Sequence, residues 1–130
     1  MAQFNITIVT PETTTLDAQV DGVTVPLIDG SAGILAGHAP MIGRLGPGEL
    51  RTTNGSETQR YFVDGGFVQV EGNTVSVLTG QSIPFDEIDL AATKAALEKA
   101  QAEEGDDQDL AIKQKTIAQA RAKIRMVEGA

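Results

Sequence analysis

The hydrophobic period of this chain changes once, near Phe85, and that change constrains the fold more than any motif does. Before it the period is two. Phe4, Ile6 and Ile8 alternate with Asn5 and Thr7, which puts every second side chain on one face of a strand. Val23, Val25 and Leu27 repeat the pattern with Thr24 and Pro26 between them. Leu50-Arg51-Thr52 and Thr58 to Val63 flank Asn54-Gly55. That pair predicts a type I′ hairpin turn, because both central residues of such a turn need positive φ. Val68 and Val70 lead to a second turn at Gly72-Asn73, and Val75 and Val77 resume the alternation. Short strands separated by frequent glycine turns predict an antiparallel β-sandwich over residues 1–84.

After Pro84 the period becomes helical. Asp86 is the expected N-cap, with Glu87 and Asp89 in the first turn, where the helix dipole favours acids. Leu90, Leu97 and Ala100 form one narrow stripe. Gly105-Asp106-Asp107 breaks the helix, and Asp109 is the expected cap of the next. Leu110, Ile117, Ala120, Ile124 and Val127 mark a second stripe. Two such helices around a short polar break predict an antiparallel α-helical hairpin over residues 85–130, and an α+β class for the whole. Ala supplies much of the seam. At about 25 cal/mol per Å² of apolar surface buried, the seam stabilises modestly, so the hairpin is expected to open.

Charge and composition exclude several function classes. The net charge of −8 opposes binding to nucleic-acid phosphates or anionic lipid heads. The chain has no Cys, which removes disulfides and thiolate chemistry. No apolar run approaches the roughly 20 residues of a membrane span, and Met1-Ala2-Gln3-Phe4 lacks the basic flank of a signal peptide. Membrane association is therefore expected only through a protein partner. Aromatic residues are 4% of the chain, too few to line a sugar-binding face. Charge is also uneven. Residues 1–84 hold eight acids and three bases, whereas Lys113, Lys115, Arg121, Lys123 and Arg125 cluster late. These bases read either as a solvated helix face with cations near its C-terminus or as a docking arm for an acidic protein surface.

Catalytic chemistry is not legible. The single His, His38, has no carboxylate or Ser at a catalytic spacing and reads as a loop residue bonded to backbone. Asp106, Asp107 and Asp109 lack the Gly and distal Glu of a calcium loop, and Gly43 to Gly48 lacks the Lys-Ser or Lys-Thr of a phosphate loop. No catalytic or metal-ligating residue is assigned. The residues alone thus point to a binding or structural role, and a free-standing β-sandwich adaptor that binds proteins is one alternative.

Specific strings carry the reading further. Gly33-Ile34-Leu35-Ala36-Gly37-His38-Ala39-Pro40 resembles the Gly-Ile-x-x-Gly-His-Ala-Pro signature of the epsilon subunits of bacterial and chloroplast F-type ATP synthases. Pro47-Gly48-Glu49-Leu50, Asp64-Gly65-Gly66-Phe67-Val68-Gln69-Val70 and Glu87-Ile88-Asp89 resemble further stretches of that family, in the same order. The resemblance implies a non-catalytic rotor subunit of an enzyme that makes ATP from ADP using a transmembrane proton gradient. It implies a sandwich set against the gamma subunit and the c-ring, on the cytoplasmic face of a bacterial inner membrane or the stromal face of a thylakoid. Asp29, Gly30, Ser31 and Ala32, read as a loop, match the c-ring-facing part together with His38. Gly65 and Gly66 permit close backbone approach, inside the sandwich or against gamma. The helical arm is implied to extend into the catalytic head, where Lys113, Lys115, Arg121, Lys123 and Arg125 would meet a beta subunit and block ATP hydrolysis. Some relatives hold ATP through Ile-Asp-x-x-Arg-Ala. Here Ala92 replaces the Arg and Thr93 the Ala. Losing one guanidinium removes a contact of about 1.5–3 kcal/mol. The resemblance then leaves a weak ATP site at Ile88, Asp89, Arg121 and Arg125, and no other cofactor.

Overall fold

A computed structural model describes residues 3–102 and 107–128. Ten strands come first: β1 (Phe4–Val9), β2 (Thr14–Val20), β3 (Gly22–Leu27), β4 (Gly30–Leu35), β5 (Met41–Arg44), β6 (Gly48–Asn54), β7 (Glu57–Val63), β8 (Phe67–Glu71), β9 (Thr74–Leu78) and β10 (Ser82–Pro84). They form two five-stranded sheets, ordered β2-β1-β9-β8-β5 and β10-β7-β6-β3-β4. The alternating residues face one another across the sandwich. Ile6, Ile8, Val68, Val75 and Val77 from the first sheet meet Val25, Ile34, Leu50 and Val63 from the second, and all are buried. With so few aromatics, β-branched side chains fill the core, and their stiff χ1 suits strands.

The pairings are antiparallel with one correction: β1 and β9 run parallel, from Asn5 beside Thr74 to Val9 beside Leu78. An alternating strand presents the same faces to either kind of partner, so its sequence carries no sign of direction. The β6–β7 turn also departs from expectation. Asn54 still pairs with Glu57, which makes Gly55 and Ser56 the central residues. Gly55 has φ of +63°, and no described non-glycine residue has positive φ. The glycine therefore stands first, as in a II′ turn rather than a I′ turn. Asp21 selects this register: its Oδ2 accepts the Gly55 N–H at 2.5 Å.

Gly66 is needed inside the sandwich. Its φ is +103°, and a Cβ there would lie 1.8 Å from the Leu78 carbonyl oxygen, so the β7–β8 link passes over β9 at backbone distance. Gly65 has open space instead.

A 3-10 turn at Phe85–Glu87 precedes α1 (Leu90–Ala102) and α2 (Asp107–Glu128). The α1 cap is Asp89, not Asp86. Asp89 Oδ1 accepts the Ala92 N–H at 3.0 Å, and the Thr93 hydroxyl donates to the Asp89 carbonyl at 2.7 Å. The helix starts late because Phe85 and Ile88 pack beside Phe62 first, and Ile88 is extended. Asp109 lies within α2 rather than capping it. The Gly105-Asp106 break and the Leu110 side chain fall outside the described residues. The helices are antiparallel: Lys94 near the start of α1 reaches Glu128 at the end of α2 at 3.4 Å. Ala100 and Ala120 are buried in their seam, with Leu90, Leu97, Ile117, Ile124 and Val127 half-buried.

Candidate functional site

Tyr61, Phe62 and Val63 are consecutive and all buried. Alternation sends Tyr61 and Val63 into the sandwich and Phe62 out of it, where it would meet water. Ala122 and Met126 of α2 cover it, with Ile83, Phe85 and Ile88 around them. Polar contacts fix this cover. Arg60, next to Phe62 on β7, donates through Nη2 to the Met126 carbonyl at 2.7 Å, in the last turn of α2. A cation there satisfies a helix-end carbonyl and complements the dipole. The same guanidinium pairs through Nε with Glu49 of β6 and stands 4.2 Å from the Phe85 ring centroid. Lys123 Nζ lies 5.0 Å from the Phe62 ring centroid, and Gln119 donates to the Asp64 carboxylate at 2.5 Å. Tyr61 donates to Gln59 at 2.8 Å, and burial, then the Asp86 carboxylate, raise its phenol above its ordinary value.

So α2 carries two stripes. The heptad stripe meets α1. A second, of Gln119, Ala122, Lys123 and Met126, meets the sheet, and the heptad reading missed it. The three consecutive apolar residues on β7 were the available signal, since a strand buried on both faces loses alternation. The five bases are correspondingly dispersed. Lys123 faces Phe62, Lys113 is half-buried, Lys115 and Arg121 are exposed, and Arg125 borders a cavity against the sandwich. They do not form one face.

The residues assigned to ATP also separate. A cavity of about 340 Å³ lies at the open end of the hairpin, lined by Ile88, Asp89, Ala92 and Lys123 among others. Arg121 and Arg125 do not line it. Asp89 is engaged as a helix cap. Among the described residues no group of three His, Asp or Glu could hold a metal ion.

Asp29 and His38 do not share a loop. Asp29 sits with Ile28 in the β3–β4 turn, and Gly30, Ser31 and Ala32 begin β4, an edge strand. The correction comes from Pro26 and Leu27, which pair onward with Ser31 and Gly30 and carry the strand to the tip. His38 stands past the far end of β4, about 20 Å away at 3.3 Å per residue. Its Nδ1 donates to the Ala39 carbonyl at 2.7 Å, and its N–H to Leu35 at 3.1 Å.

A further surface gives only a faint sign in the sequence. On the outer face of the first sheet, Phe67 stands between Arg44 and Leu78, and Ile42 lies on the diagonal. Ile42 is 73% exposed, Phe67 51% and Leu78 52%. Large apolar residues on the polar beat of β5, β8 and β9 are that sign. One sheet is thus sealed by the chain's own helix, while the opposite sheet presents bare apolar side chains.

Known proteins resemble the chain in sequence and in fold. The family model for the ATP synthase delta/epsilon chain, beta-sandwich domain, matches residues 3–84. The chain is 46% identical to the ATP synthase epsilon chain of Rhodopirellula baltica, over 91% of this chain and 93% of that one. It is 32% identical to the sodium ion specific ATP synthase epsilon chain of Propionigenium modestum, over 98% and 96% of the two chains. It also resembles a chain in a solved structure of the Euglena gracilis mitochondrial ATP synthase, comprising OSCP, F1 and c-ring. The TM-score is 0.85 at 27% identity, covering 94% of this chain and 79% of that one.

The Arg60 contacts lead to a direct expectation. Arg60→Gln removes a charged hydrogen bond and a ring contact from the end of α2, about 1.5–3 kcal/mol. Amide exchange over residues 119–128 should quicken roughly tenfold or more, with β1 and β9 unchanged. Unaltered exchange in α2 would show that the cover does not depend on Arg60.

Proposed function

Because this chain belongs to the ATP synthase delta/epsilon chain family, we propose that it serves, without catalysis of its own, as the central-stalk subunit that fastens the rotor of an F-type ATP synthase. The observation that carries this reading is the contrast between its two outer faces. The second sheet is closed by α2 through Phe62, and the first is left open with Ile42, Phe67 and Leu78. A part that transmits torque needs a stiff body and a lasting interface. The sandwich supplies the first through a fully buried two-sheet core, and the apolar face is suited to the second. We assign the gamma subunit to that face and the c-ring to the Asp29 end of β3–β4. Proton flow turns the ring, and ATP chemistry belongs to other subunits. We assign the chain a peripheral place in the membrane complex, held through its protein partners; no helix among the described residues is long and apolar enough to cross a membrane. The cytoplasmic face of a bacterial inner membrane is our assignment.

The helical arm is proposed as a brake on ATP hydrolysis that acts when α2 leaves the sheet and meets a beta subunit. What supports release is the character of the cover: the helix contributes only Ala122 and Met126 to a small apolar cluster around Phe62, with a few polar contacts beside it. We propose that ATP binds the hairpin weakly at most, since Arg121 and Arg125 stand away from the cavity at Asp89.

Two experiments test these assignments. Phe67→Asp should abolish co-purification with gamma while leaving the melting temperature within a few degrees, because Phe67 is half-exposed. Retained co-purification would remove gamma from this face. Deleting residues 87–130 should leave the synthase assembled and raise its hydrolysis rate. An unchanged rate would contradict the brake.

A further inference from the structure

A second cavity, of about 540 Å³, lies where the last turns of α2 cross the strands of the second sheet. Three guanidinium groups border it: Arg51 and Arg60 from the sandwich and Arg125 from the arm. One carboxylate, Glu49, stands among them. This concentration runs against the rest of the molecule. Residues 1–84 hold eight acids and three bases, yet two of those bases and one of those acids meet here, and a third base arrives from α2.

Glu49 is fully engaged. Its Oε1 receives Arg60 Nε and its Oε2 receives Arg51 Nη2 at 2.9 Å. It therefore aligns two guanidinium groups without neutralising the third. Arg125 has no ion pair among the described residues. A guanidinium offers five N–H donors in a planar fork, and these contacts leave donors of Arg51 and Arg125 unclaimed. The hydroxyls of Thr24 and Ser31 stand on the sandwich wall, and Pro26 and Met126 narrow the cavity with apolar surface. Cations from two walls and hydroxyl donors are the components of an oxyanion cradle.

We propose that this cavity binds a phosphate-type oxyanion, inorganic phosphate or pyrophosphate, and that the bound anion fastens the arm to the sandwich. Arg51 and Arg125 hold it from opposite sides, so it binds only while α2 lies on the sheet. By mass action its concentration then sets the fraction of covered arm. The site is distinct from the cavity at Asp89 and shares none of its lining. Binding itself does not depend on the rotor role; its effect on the brake rests on that reading.

The test is titration calorimetry of the full-length subunit with pyrophosphate and with inorganic phosphate, at constant ionic strength. Saturable binding is expected, weakened about tenfold or more by Arg51→Gln and by Arg125→Gln. Both side chains are largely exposed, so the fold should persist. Lys99→Gln, the same loss of charge on the exposed side of α1, should leave binding unchanged. Saturating pyrophosphate should also slow amide exchange over residues 120–128. Absence of saturable binding would overturn the proposal, as would equal weakening by all three substitutions, which is the mark of diffuse charge attraction. Those results would leave the gamma assignment standing, because it is read from Phe67 by co-purification.

Discussion

Phe62 is the side chain around which the two parts of the molecule are organised. It projects from the outer face of a strand, on the side away from the sandwich core, and yet it is wholly removed from water. Burying an aromatic of this size is worth about 1.5–3 kcal/mol, and the sandwich by itself has nothing to bury it against. The arm supplies the missing surface with Ala122 and Met126. The link between the parts answers the same demand. Phe85 and Ile88 turn inward to complete the cluster, and α1 begins only at Leu90. The fold of the arm is thus dictated partly by the sheet it covers.

Electrostatics decides how firm that cover is. Arg60 is the joint between strand, link and helix: one guanidinium serves Glu49, the Phe85 ring and the Met126 carbonyl. It is partly buried, so these contacts count for more than surface ion pairs, whereas Lys94–Glu128 is half-exposed and contributes little. A few contacts of this size can be broken together by a competing surface of similar chemistry, which a hydrophobic core would resist. On the proposed reading of the arm as a brake, the sandwich interior is permanent and the cluster beneath α2 is conditional.

Much of this was legible in the residues. The strands that alternate cleanly, β1, β3, β8 and β9, were readable because one face of each meets the core. β2, β4, β5 and β10 were not. Thr14 to Val20 is mostly polar, Gly30 to Leu35 is built of small residues, and the other two are short, so none carries a period. The helical stripes of Leu97, Ala100, Ile117 and Ala120 came through because the hairpin seam repeats. The second stripe of α2 did not, because Gln119 and Lys123 use their stems and polar heads where an apolar residue would have given a signal. Arg60 could not be singled out at all: its role exists only where β7, Phe85 and the end of α2 converge. Among the site residues, Asp29 and His38 were linked through a resemblance that does not encode the length of β4 between them.

If α2 is a removable cover over Phe62, the distance between spin labels at Gln59 on β7 and Val127 at the end of α2, measured by pulsed electron resonance, will report its release. The isolated subunit should give one short, narrow distance. The assembled synthase should give that distance and a second, several times longer, whose share changes between synthesis and hydrolysis conditions. A single short distance in every state would mean that the arm is a fixed part of the sandwich and that the account is wrong.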